Sequence, residues 1–132
     1  MRWASPGRRY RRCSPEAMND HERDSGPVVV PMPAEIDLAN AGRVGEQLCT
    51  AAGLGVTVIV ADLTGTQFCD SAGIRTLLAA RDNIAAHHAQ LRLAVARDGA
   101  VRRALQAIGL QHVLPMHPTV EAALAPDVPS SR

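Results

Sequence analysis

The six residues Val56-Thr57-Val58-Ile59-Val60-Ala61 are apolar or β-branched on both alternating faces. A strand with one wet face would not look like this; the pattern suits the centre of a parallel sheet covered by helices on each side. The flanking sequence supplies the partners. Val28-Val29-Val30 is a short β-branched run, Leu91, Leu93 and Val95 alternate as a further strand, and His112-Val113-Leu114 reads as a brief last one. Helical spacing fills the gaps between them. Ala41, Val44, Leu48 and Ala52 recur through residues 38–52, with Asp37 as cap and Gly53 as stop, although Gly42 and Gly45 each weaken that helix by ~1 kcal/mol relative to Ala. Ile74, Leu77, Leu78, Ile84 and Ala85 form one stripe of a helix over 71–88. Arg81 points into that stripe and must snorkel or find a carboxylate. Val101, Leu105 and Ile108 face inward from a helix over 98–108 stopped by Gly109, and Pro118 sits in the first turn of a last helix ending at Leu124. The order predicts an α/β sandwich, a mostly parallel sheet of roughly four to five strands with flanking helices and right-handed crossovers.

Residues 28–125 hold this pattern. Residues 1–27 carry Arg2, Arg8, Arg9, Arg11 and Arg12, a Pro/Ser break and a mixed-charge run from Asn19 to Asp24, without any apolar period. They read either as a basic arm for nucleic acid or an acidic partner, or as a disordered leader, part of which would be an upstream extension if translation starts at Met18. The leader is favoured, because charge runs without periodicity are usually solvated. Residues 126–132 read as a flexible tail.

Composition removes several classes of function. The 14 basic residues are all Arg and face 13 acidic ones, so no net field attracts nucleic acid or a membrane. One Trp, one Tyr and one Phe do not make a base-stacking platform. Cys13, Cys49 and Cys69 are odd in number and irregular in spacing, which fits neither a disulfide framework nor a metal site. No apolar stretch approaches the ~20 residues of a membrane span, and no apolar run follows the basic N-terminus as in a secretory signal. A cytoplasmic protein with no cofactor is expected.

The informative segment is Asp62-Leu63-Thr64-Gly65-Thr66-Gln67-Phe68-Cys69-Asp70-Ser71-Ala72-Gly73-Ile74. A buried strand ends, a loop follows, and a helix opens with Ser71 as its expected N-cap. Gly73 leaves the helix start bare, where another backbone can approach. Cys69 reads either as a redox sensor near a helix N-terminus or, preferably, as a residue packed under the loop.

Asp70-Ser71-Ala72-Gly73-Ile74 after an apolar strand, with Ala34-Glu35-Ile36-Asp37 upstream, resembles the STAS domain of anti-sigma factor antagonists across roughly residues 28–125. The resemblance implies that Ser71 is phosphorylated by an anti-sigma factor that is itself a serine kinase. It implies that the unmodified protein binds this kinase and frees the sigma factor, that the phosphorylated form lets go, and that a PP2C-type phosphatase resets the switch. Asp70 falls on the acid before the phosphosite, Gly73, Ile74 and Arg75 on the helix start that meets the kinase, and Asp37 on the acid of the neighbouring loop. The family also implies a strand before Val28, which residues 1–27 do not visibly provide. Without it the Val28 strand becomes a sheet edge, and Pro31 suits an edge. Ala34 stands where the family usually has glycine.

Other chemistries fit less well. A hydrolase would need a Gly-x-Ser-x-Gly elbow, which is absent, and His87 and His88 lie about 25 Å along the helix from Ser71. Adjacent helical residues diverge, so His87 and His88 do not form a metal pair. Gly53-Leu54-Gly55 and Thr64-Gly65-Thr66 lack the lysine and spacing of a P-loop. The remaining alternative is a STAS-type accessory subunit of a lipid-transport ATPase, which needs no phosphoserine.

Overall fold

The computed structural model describes residues 11–12 and 26–125. Strand β1 (Arg11–Arg12) is followed by β2 (Val28–Pro31), β3 (Glu35–Ile36), α1 (Ala41–Ala52), β4 (Val58–Asp62), β5 (Phe68–Cys69), α2 (Ser71–Ala86), β6 (Gln90–Ala94), α3 (Ala100–Ala107), β7 (Met116–His117) and α4 (Val120–Leu124). Five strands form the main sheet in the order β1-β2-β4-β6-β7, and β3 and β5 make a separate two-stranded ribbon. Every described pair is parallel. As the double-faced apolar run requires, β4 lies at the centre.

The two faces of β4 enter different layers. Ile59 and Ala61 join Val28, Val30, Leu91 and Leu93 against Val44 and Leu48 of α1, Leu77 and Ile84 of α2, and Leu105 of α3. Val60 turns the other way, with Val29 and Ala94, against Val120 and Ala123 of α4. That second layer is thin, and it contains a buried cation. Arg92, paired in register with Val60, is 5 % exposed and donates from Nη1 to the carbonyls of Ala123 (2.8 Å) and Ala125 (2.9 Å).

Several sequence expectations shift. Arg11–Arg12 pair with Val28-Val29, so a strand does precede Val28, and β2 is not a sheet edge. Pro31 is still tolerated because the β1 register ends at Val29. The other expectations for residues 1–27, and the tail 126–132, lie outside the described residues. Helix α1 begins at Ala41, not residue 38, because Asp37 and Asn40 close a turn first. It ends at Ala52 as expected, but Gly53 stays right-handed and Gly55 (φ +79°) carries the reversal. Gly45 has a packing role, since a Cβ there would lie 3.2 Å from Thr76 Cγ2 on α2. Ala85 and Ile108 are exposed, not inward. Arg81 meets the Asp82 carboxylate at 3.7 Å. His112 closes a 3-10 turn (Leu110–His112) after Gly109 (φ +79°), and the last strand is Met116–His117, beside Leu93-Ala94. Pro118 precedes the last helix, whose cap is Thr119.

Candidate functional site

The β3–β5 ribbon holds the two loops singled out by the sequence side by side. Glu35 pairs with Phe68 and Ile36 with Cys69. Beyond the pairs, Gln67 N–H donates to the Ala34 carbonyl (2.7 Å) and Asp70 N–H to the Ile36 carbonyl (3.1 Å). The Thr66 hydroxyl adds a bond to the Pro33 carbonyl at 2.8 Å. Asp37 and Asp70 therefore leave adjacent parallel strands one step past the last pair, where strand spacing is about 5 Å. Ala34 needs no left-handed backbone; among the described residues His88 is the only non-glycine with positive φ. The loop's backbone is thus one that alanine adopts without strain.

Each loop is set by a short polar device. The Asp37 carboxylate accepts from Ala39 N–H (3.0 Å), and Asn40 Oδ1 accepts from Asp37 N–H (2.9 Å) while its amide donates to the Glu35 carbonyl (2.8 Å). Asp37 thus fixes a turn and does not cap the helix. At α2 the expected cap moves by one residue: Asp70 is the N-cap, its Oδ1 accepting from Gly73 N–H at 3.1 Å. Ser71 is the first helical residue, and it is exposed. Aspartate caps as well as serine does, and the residue with extended backbone takes the role; here that residue is Asp70 (φ −90°, ψ −173°). The serine hydroxyl is consequently not spent on the cap.

Gly73 is buried, which corrects its reading as a point of approach for another chain. A Cβ at position 73 would lie 2.7 Å from both Cys69 Sγ and Ile36 Cγ2. The glycine lets the first turn of α2 settle onto the ribbon. Ile74 is half-buried against the core, and Arg75 is exposed. Two apolar residues escaped the sequence reading: Leu38, 79 % exposed in the turn after Asp37, and Phe68, 50 % exposed on the ribbon. Period-two alternation of Phe68 with the buried Cys69 is the signal that finds the second of these.

Cys69 sits under this surface, 9 % exposed, and its thiol is pushed from 9.0 up to about 11, first by burial and then by the Asp70 carboxylate. That favours packing over redox sensing, since the thiolate is the reactive form. A folded-state value above the unfolded one means the neutral thiol stabilises the fold below pH 9, and this contribution is lost as pH rises toward about 11. Denaturant midpoints across that window should fall more steeply for the wild type than for Cys69→Ala; parallel curves would contradict the assignment.

His87 and His88 lie at the opposite end of α2, both exposed, with His87 Nδ1 2.9 Å from the Asn83 carbonyl. No group of three or more His, Cys, Asp or Glu able to hold a metal occurs among the described residues, and no described helix is long and apolar enough to cross a membrane.

Residues 19–123 match the STAS domain family. The anti-sigma-F factor antagonist RsfA of Mycobacterium tuberculosis is 34 % identical over 101 residues, covering 74 % of this chain and 77 % of that protein. Among solved structures, an anti-sigma factor antagonist from Mycobacterium paratuberculosis superposes with a TM-score of 0.66 at 24 % identity, over 80 % of this chain and 86 % of that one. Unphosphorylated SpoIIAA, another anti-sigma factor antagonist, gives 0.60 at 24 % identity, over 74 % and 84 %. The same fold occurs within the murine anion transporter Slc26a9 (TM-score 0.58, 17 % identity), where it aligns with 74 % of this chain but only 17 % of the transporter. With the sequence match spanning both loops and the ribbon that joins them, the chain belongs to the STAS domain family, among the anti-sigma factor antagonists.

Proposed function

We propose that this protein binds a serine-kinase anti-sigma factor through the surface around Asp37, Asp70, Ser71, Ile74 and Arg75, and that phosphorylation of Ser71 breaks the complex. Binding withdraws the anti-sigma factor from its sigma factor; a PP2C-type phosphatase restores the binding form. The observation that carries the reading is the division of labour at the start of α2. Asp70 holds the cap and leaves the exposed Ser71 hydroxyl uncommitted to it. Transfer of the γ-phosphoryl group of ATP forms the Oγ–P bond as the bond to ADP breaks, and the hydroxyl proton departs. None of this removes the cap.

The fold tolerates the product. A helix N-terminus favours a negative group by ~0.3–1 kcal/mol at exposed sites. The surface does not stay the same, because a charge of about −1.5 to −2 appears beside Asp70. Burying that charge against a partner lacking matched cations is costly. The switch then acts on affinity and leaves stability nearly unchanged.

The test uses purified serine-kinase anti-sigma factors from the source organism. One of them, with ATP and Mg²⁺, should add a single phosphate that peptide mass spectrometry maps to Ser71. Ser71→Ala should bind and resist phosphorylation, while Ser71→Asp and the phosphorylated protein should bind at least about tenfold more weakly, ~1.4 kcal/mol. Equal affinity of the modified and unmodified forms would overturn the switch. Copurification with transport-ATPase subunits and no phosphate on Ser71 would favour the accessory-subunit reading instead.

A further inference from the structure

Arg75 lies four residues beyond Ser71 on α2, and both are exposed. On an α-helix such residues are neighbours on one face, with Cβ atoms about 6 Å apart. Several other arginines of the domain are committed. Arg92 holds the Ala123 and Ala125 carbonyls, Arg102 those of Val95 and Ala96, Arg103 that of Asp98, and Arg81 meets Asp82. Among the described residues no hydrogen bond or ion pair occupies the Arg75 guanidinium. The charged groups set around Ser71 by the ribbon are otherwise carboxylates: Asp70 immediately before it, and Asp37 and Glu35 from the adjoining strand and turn.

We propose that Arg75 is the internal cationic partner of the Ser71 phosphate, folding onto it and donating to its oxygens when the serine is modified. This rests on the phosphorylation reading above and extends it. The geometry is favourable in three respects. The anion stands N-terminal to the cation at i,i+4, the better orientation on a helix. The planar guanidinium presents paired N–H donors that match two phosphate oxygens. The cap is already filled by Asp70, so the phosphate has no need to compete for the Gly73 amide. The Asp70 carboxylate immediately before the serine adds a repulsion that the guanidinium offsets. Phosphorylation then alters two partner contacts at once: it covers the serine hydroxyl and withdraws an exposed cation from the same helix face.

The full-length chain with phosphoserine installed at position 71 during translation allows a direct test without any kinase. The phosphate's second ionisation is followed by ³¹P NMR against pH, for the wild type, Arg75→Gln and Arg75→Lys. A guanidinium paired with the dianion lowers this pKa, so Arg75→Gln should raise it by about half a unit. Arg75→Lys should fall between the two, and the difference should shrink in 1 M salt, where the screening length drops to about 3 Å. Identical titrations for the wild type and Arg75→Gln would overturn the proposal. Melting of the unmodified variants alongside the wild type checks that the exposed substitution leaves the fold alone. If no kinase modifies Ser71 but the titration shift appears, the pairing stands and the switch fails. If Ser71 is modified without any shift, the switch stands and the pairing fails.

Discussion

Arg92→Met is expected to destabilise the protein by about 2–4 kcal/mol, on the order of a 10–20 °C fall in Tm for a domain of this size. The volume is nearly conserved and the new side chain is apolar, so a hydrophobic ledger alone predicts little change or a gain. The loss comes from what Arg92 leaves behind. Its Nη1 donates to the Ala123 and Ala125 carbonyls, and its Nε to Gln90 Oε1 at 2.9 Å. Those two carbonyls close the C-terminal end of α4, the helix over the second face of the sheet. A helix of five residues has little stability of its own, so its docking depends on such tertiary ties. Arg92→Lys should recover part of the loss, since an ammonium reaches a carbonyl but lacks the fork that spans two. Chemical denaturation of the three proteins checks this. Equal midpoints for Arg92→Met and the wild type would show that water replaces the guanidinium at no cost.

Arg92 also marks where the sequence is least transparent. Leu91, Leu93 and Val95 announce one buried face of β6, and an intervening arginine ordinarily announces a wet one. The partner carbonyls that allow it to be buried lie 31 and 33 residues away, and no local pattern encodes them. The central position of β4 is legible for the opposite reason: every side chain of the run is apolar or β-branched, so both faces demand cover. The brief last strand misleads because His112-Val113-Leu114 has strand-like residues but follows Gly109, whose left-handed backbone starts a tight 3-10 turn. At the site, the types and order of residues point to the start of α2 correctly, while the split between Asp70 as cap and Ser71 as first helical residue depends on one backbone torsion pair. Leu38 and Phe68 are invisible to a search for polar chemistry; alternation with the buried Cys69 marks Phe68 as outward, while the exposure of Leu38 is evident only in the folded chain.

Gly73→Ala tests that helix start most severely. In an exposed helix interior, replacing Gly with Ala stabilises by up to about 1 kcal/mol. Here the sign should reverse, with a loss of about 1–3 kcal/mol, because overpacking a filled site forces side chains off their rotamers or moves the backbone. The added methyl would stand 2.7 Å from Cys69 Sγ and 2.7 Å from Ile36 Cγ2, and both residues form the floor of the ribbon. Cys69→Ala in the same chain should relieve only one of the two clashes and restore part of the loss. Gly42→Ala serves as the internal control: its Cβ meets nothing within 4 Å, so that substitution should stabilise. If both glycines gain stability from alanine, the close seating of α2 on the ribbon is wrong. If Gly73→Ala loses stability as expected, its effect should reach Ser71 as well. The Asp70 carboxylate bonds the amide of Gly73 itself, so a first turn lifted off Ile36 and Cys69 strains the cap that presents the serine. A conformational constraint two residues inside the helix, and not the hydroxyl alone, therefore sets how Ser71 is displayed.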